Sequence, residues 1–172
     1  MKRLVLIGTL LFVAACGSSP SNPSSNPSAP TFTATLLPAN ENPPISNSES
    51  TGTGSVVVVL NLTRDANQNI TAATANFQVN LAGFPANTPV TLSHIHEGIS
   101  TCNCPVRINL ALASGEVVMA ANGSVAFTKN NVGNFDVSIA QAMLNNPGGF
   151  YFNVHSTQNP GGFARGQLVR VQ

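Results

Sequence analysis

Two of the chain's three histidines stand one residue apart in Ser93-His94-Ile95-His96-Glu97, and the third is His155 in Tyr151-Phe152-Asn153-Val154-His155. On a β-strand, side chains at i and i+2 leave the same face about 7 Å apart, so His94 and His96 can converge on one atom. Imidazole nitrogen suits copper and zinc. Three such ligands with an open position hold Cu(I), Cu(II), or zinc with a water. Glu97, Asn153 or a backbone carbonyl is placed to hold the second ring nitrogens and fix the tautomers. The alternative is that His94, His96 and His155 hydrogen-bond within a polar patch and bind nothing.

Other chemistry is sparse. Cys102-Asn103-Cys104 offers three readings that the residues leave open: a small disulfide ring, a free dithiol, or soft metal ligands. No Ser-His-Asp spacing, phosphate-cradling glycine loop or carboxylate pair supports a hydrolase, and six acidic residues leave little to work with. Asn40-Glu41-Asn42-Pro43-Pro44 reads as a rigid turn, and Arg165 as a strand-end ion pair for Glu41 or Glu97.

The chain opens on Met1-Lys2-Arg3 followed by an apolar run from Leu4 to Ala15, a basic start and a core too short to span a bilayer permanently. This is an export signal over residues 1–15. Val13-Ala14-Ala15-Cys16 resembles a bacterial lipobox, which implies cleavage before Cys16, a diacylglyceryl thioether on its sulfur and an acylated amine. Several acyl chains anchor stably where one is marginal, so the membrane is one partner. Gly17-Ser18 lacks the aspartate that favours inner-membrane retention. The expected location is the cell envelope, outside the cytoplasm, on the outer membrane where the bacterium has one.

Loss of Lys2 and Arg3 leaves five basic side chains against six acidic ones, and no basic stripe or aromatic platform, so nucleic acid is excluded as a partner. Residues 16–30, the lipidated cysteine and a Ser/Pro/Asn tether, contain nothing to build a core. The folded domain is expected over 31–172.

Within it, Phe32, Ala34 and Leu36 alternate with threonines, the period of a half-buried strand. Ser55 to Leu62 is β-branched and expected to be buried on both faces for part of its length; Arg64 to Asn69 is turn chemistry closing a hairpin. The next strand puts Ala73, Ala75, Phe77, Val79 and Leu81 on one side. From Val90 to His96, the pattern sets Val90, Leu92, His94 and His96 on one face, so the histidines continue an apolar line. Strands are expected at 106–112, as a pair at 116–119 and 123–127, and at 150–156 and 163–171. Asp136 to Leu144 reads as a helix, capped by Asp136 or Ser138, with Ile139, Ala142 and Met143 inward. About eight or nine short strands in one domain, with one short helix near 137–145, make an all-β, Greek-key-like sandwich or barrel.

The order Asn40-Glu41-Asn42-Pro43-Pro44, Ser93-His94-Ile95-His96, Tyr151-Phe152-Asn153-Val154-His155-Ser156 and Pro160-Gly161-Gly162-Phe163-Ala164-Arg165-Gly166-Gln167-Leu168 resembles the CHRD domain over about residues 32 to 171. That domain is named for chordin and also occurs in bacterial exported proteins. Phe163-Ala164 departs from the family's usual acidic-aliphatic pair, and the Cys102/Cys104 loop is not a general feature. The resemblance implies a β domain without a defined biochemical role.

A second similarity is to the copper half of Cu/Zn superoxide dismutase. It implies His94, His96 and His155 as copper ligands and Arg165 as the cation beside the open coordination position. The match then fails, because no further histidine exists to bridge to zinc. Dismutase activity is therefore not the expectation. Two functions from different classes stand: an anchored binding or structural module whose partner is a protein or surface polymer met through loops at one end, and an extracytoplasmic copper or zinc protein using the three histidines.

Overall fold

The computed structural model describes residues 29–133 and 135–172. The signal segment, Cys16 and the tether up to residue 28 lie outside the described residues.

Alternation of apolar and polar residues builds one sheet from β1 (Thr31–Leu36), β2 (Thr53–Arg64), β3 (Ile70–Ala82), β6 (Val125–Val132) and β9 (Val169–Arg170), in the order β6-β3-β2-β1-β9. The second sheet, β5-β4-β7-β8, is made of β4 (Val90–Glu97), β5 (Val106–Asn109), β7 (Phe150–Ser156) and β8 (Ala164–Gln167). Every pairing is antiparallel. Phe32, Ala34 and Leu36 of β1, Val56, Val58 and Leu60 of β2, and Ala75, Phe77, Val79 and Leu81 of β3 point between the sheets. They meet Ile95, Phe152 and Val154 of the other sheet, and the rings of Phe77 and Phe152 lie 6.1 Å apart across the interior. The expected sandwich is present, with nine strands among the described residues.

The β2–β3 hairpin closes as the turn residues predict: Asp65 Oδ1 accepts from the backbone N–H of Asn67 and of Asn69. Val57 and Val59 on the outer face of β2 are half-buried, short of burial on both faces. The helix α1 (Val137–Asn145) starts where Asp136 accepts from the N–H of Ser138. Met143 is buried as expected together with Ala140, whereas Ile139 and Ala142 are half-buried against the core.

Three elements differ from the sequence pattern. Residues 116–119 make no strand, only a single bridge from Val118 to Pro89, and the chain turns through Asn122 into β6, which pairs with β3 instead. Asn131 takes a left-handed φ of 54° at a register shift, so β6 runs through residues whose composition suggests a loop. The final strand divides: β8 pairs with β7 in one sheet, β9 with β1 in the other, and buried Leu168 marks the crossing. At that corner Leu37 and Arg165 bond reciprocally through their backbones. Gly166 is required there, since a Cβ on it would stand 2.0 Å from the Thr35 carbonyl oxygen.

Candidate metal site

Cross-strand partners share a face of a sheet. Ile95 pairs with Phe152 and Ser93 with Val154, so these face the core; His94 pairs with Asn153 and Leu92 with His155, so the histidines lie on the opposite, outer face. This corrects the apolar line from Val90 through His96. A register shift between Val90 and Leu92 reverses the pleat: Val90 stays in the core while Leu92 is 40% exposed. His94, His96 and His155 are nonetheless buried, at 7%, 8% and 6% exposure. Loops rather than the opposite sheet contribute their cover, for the Cys104 and Pro160 carbonyls both contact them.

The three rings converge, with one possible ligand nitrogen from each lying within 4.8 Å of the others. Two tautomers are set by backbone. A carbonyl only accepts, so the 2.7 Å contact of His96 Nδ1 with the Cys104 oxygen and the 2.9 Å contact of His155 Nδ1 with the Pro160 oxygen place a hydrogen on each Nδ1. Both Nε2 atoms are then bare lone pairs. His155 Nε2 faces His94 Nδ1 at 3.2 Å, and His96 Nε2 is buried with no hydrogen-bond partner. A buried acceptor left unmet calls for a partner such as a water or an ion, and three imidazoles are donors of the kind that can hold an ion. Nitrogens about 2.0–2.1 Å from a metal stand about 3.3–3.6 Å apart; the His94–His155 pair at 3.2 Å is slightly closer than that, and the 4.8 Å span of the set is wider.

The neighbours keep the rings neutral. Burial first, then His155 and His96, push His94 down to about 4. Burial also lowers His96 and His155, against the raising effect of their carbonyl partners, and Arg165 adds to the lowering of both. Neutral imidazole is the metal-binding form.

Of the expected helpers, the backbone carbonyl is the one that holds the second nitrogens. Glu97 does not: its carboxylate takes the Arg107 Nε–H at 2.7 Å on the exposed rim. Asn153 lies on the histidine face but makes no hydrogen bond to a ring; its Oδ1 is buried and unpaired, beside Gly162. Arg165 is no free cation at an open coordination position. It is 1% exposed, and its guanidinium pairs with Glu41 at 2.6 and 2.7 Å. Its remaining donors reach the carbonyls of Ser100 and Cys102 and the Asn103 Oδ1. Burial outweighs Arg165 at the Glu41 carboxyl, which is raised to about 6.

The pattern of residue types did not single out Tyr151. Its ring stacks on His96, 4.6 Å between centroids and 2° from parallel, and the Arg165 guanidinium carbon lies 5.0 Å from its centre. Its hydroxyl donates to the Cys102 carbonyl and accepts from the Cys104 N–H. The signal was in the parity of β7: Tyr151, Asn153 and His155 are i, i+2 and i+4 on one face. Cys102 and Cys104 themselves are joined by a disulfide, with Cα atoms 5.3 Å apart.

Among known proteins, no curated protein and no solved structure matches the chain. The family model of the CHRD domain matches residues 32–168, a span that runs from β1 through β8 and takes in the loop over the histidines and all three rings. The chain belongs to the CHRD domain family.

Proposed function

We propose that this CHRD domain is an exported, lipid-anchored binding module whose ligand is a metal ion, copper before zinc, held by His94 Nδ1, His96 Nε2 and His155 Nε2. The observation that carries the reading is the buried, unpartnered Nε2 of His96, in a cluster whose other two candidate nitrogens, His94 Nδ1 and His155 Nε2, partner only each other. The donor set is all imidazole. Nitrogen ligands without a hard carboxylate favour copper and zinc over magnesium, calcium or manganese, and affinity for copper exceeds that for zinc at a given site. Bound copper supplies one-electron chemistry and bound zinc supplies a Lewis acid. The anchor rests on the lipobox-like Val13-Ala14-Ala15-Cys16 and the apolar run before it.

A second reading, contact with a protein or surface polymer through the loops, is favoured by a cleft of about 450 Å³ between residues 41–47 and 159–162. Its amides are largely committed to one another, however: Asn47 and Asn159 bond reciprocally, and Asn103 and Asn42 bond to carbonyls of the facing loops. The histidine cluster has an unmet ring nitrogen, whereas the unmet atom at the cleft is the Glu41 Oε1 beside Gly162, on a carboxylate already paired with Arg165.

The test is metal content and stability. The full chain expressed with copper or zinc present is expected to carry about one ion and to gain several degrees of Tm over the metal-stripped protein. His94→Ala/His96→Ala is expected to lose both. A wild-type protein that stays metal-free, or a variant that gains as much as wild type, overturns the reading.

A further inference from the structure

The Cys102-Asn103-Cys104 ring is wired to the histidine cluster through its backbone. The Cys104 carbonyl holds the hydrogen on His96 Nδ1 and so presents Nε2 inward. The Cys104 N–H and the Cys102 carbonyl hold the Tyr151 hydroxyl, and the Tyr151 ring stacks on that same imidazole. Arg165 takes the Cys102 carbonyl again and the Asn103 side chain. All these atoms belong to three consecutive residues closed by one covalent bond. Both cysteines are half-buried rather than enclosed, so an external thiol can reach them.

We infer that Cys102–Cys104 is a thiol–disulfide exchange site that regulates metal binding at the three histidines, oxidised for tight binding and reduced for release. This rests on the metal reading above. The step takes a dithiol reductant. Its thiolate attacks one sulfur of the ring and the S–S bond breaks, leaving a mixed disulfide and one cysteine thiolate that takes a proton. The reductant's second thiol then displaces the other cysteine, which also ends as a thiol. Two electrons and two protons have entered the protein, and the reductant leaves as a disulfide. The tripeptide regains backbone freedom, and holding the Cys104 carbonyl against His96 then costs ordering entropy that the closed ring had already removed. Loss of a partner that orients a ligand histidine costs about 10- to 100-fold in metal affinity.

The test compares the full chain, purified in detergent, with Cys102→Ser/Cys104→Ser, which also removes thiolates that could bind metal themselves. Zn(II) affinity is read by competition with a chromophoric chelator, and the His96 tautomer in the metal-free protein by long-range ¹H–¹⁵N NMR. The expected result is about tenfold weaker zinc binding in the variant, together with loss of a single Nδ1–H tautomer at His96. Tyr151→Phe, which keeps the ring and removes the hydroxyl, is expected to fall between the two. Equal affinity with the Nδ1–H tautomer retained in the variant overturns the inference. Zinc binding by neither protein refutes the metal reading and with it the regulation, while a tautomer difference in that case still shows that the ring controls His96. Should the serine pair fail to fold, phosphine-reduced and alkylated wild type takes its place: about tenfold weaker binding with the tautomer lost supports the inference, and unchanged affinity with the tautomer kept overturns it.

Discussion

His94 Nδ1 and His155 Nε2 face one another across the β4–β7 pair at 3.2 Å, with a single hydrogen between them. The Pro160 carbonyl keeps the other ring hydrogen on His155 Nδ1, so the shared one belongs to His94. For His94 Nδ1 to serve as a ligand, that hydrogen would have to move to Nε2 of the same ring, with no change in the ring's charge. Because His94 is pushed down to about 4 and its two neighbours are lowered as well, protons compete poorly for the site. Metal occupancy is therefore expected to persist from pH 7 to pH 5, where ordinary imidazoles near 6.5 protonate. Occupancy halved by pH 6.5 would contradict it; equilibrium dialysis across that range is the measurement.

The same shifts set the pH dependence of metal-free stability. Each histidine has a folded value below its unfolded one, so the unfolded chain binds more protons in the interval; stability is present above about 6.5 and lost as pH falls toward 4. At about 1.4 kcal/mol per unit, His94 alone contributes on the order of 3 kcal/mol. Glu41 acts oppositely: raised from 4.5 to about 6, it contributes stability below 4.5 that is lost as pH rises through 6. Three rings outweigh one carboxyl, so urea midpoints are expected to fall steadily from pH 7 to pH 4. Their staying level would count against neutral, buried histidines.

Arg165 joins Glu41 to three residues of the 98–105 loop from a position 1% exposed. Arg165→Ala strands a buried carboxylate and is expected to cost about 3–5 kcal/mol in urea unfolding. Arg165→Lys keeps the charge but not the planar fork, and is expected to recover less than half of that loss. Full recovery by lysine would mean that the fork geometry is not what holds the loop.

Gly166→Ala would drive a Cβ into the Thr35 carbonyl at the corner where β8 meets β1. Neither backbone can yield without parting the sheets, so a loss of roughly 1–3 kcal/mol, the range for overpacking, is expected by thermal or urea unfolding. A neutral result would show that this corner is loose.

Cys16→Ser tests the anchor. The wild-type chain is expected to sediment with membranes and to carry the added mass of acyl chains on its N-terminal residue; the serine variant is expected to carry none. Masses that differ only by the sulfur-for-oxygen exchange would remove the lipoprotein reading.

The sandwich, the helix and the residues that meet at the site were legible because pleat and helical periods are written in residue types, as at Phe32-Ala34-Leu36 and at His94 and His96. What the sequence hid was parity and partnership. A one-residue irregularity at Val90–Leu92 turns the histidines from the core side to the loop side, and no composition announces it. Backbone carbonyls have no letter of their own, so Cys104 and Pro160 could not be named as the atoms that set the tautomers. Arg165 could be read as an ion pair or as a cation at a metal, and only the fold of the 38–50 loop decides for Glu41.

β7 can be read as two interleaved messages. Phe150, Phe152 and Val154 are read by the core, and Tyr151, Asn153 and His155 by the site. Because the pleat separates them, the three histidines can be exchanged for other donors without altering the interior that holds the sheets together. A set of such exchanges would turn the outer face into a panel on which metal preference is varied while the fold stays constant.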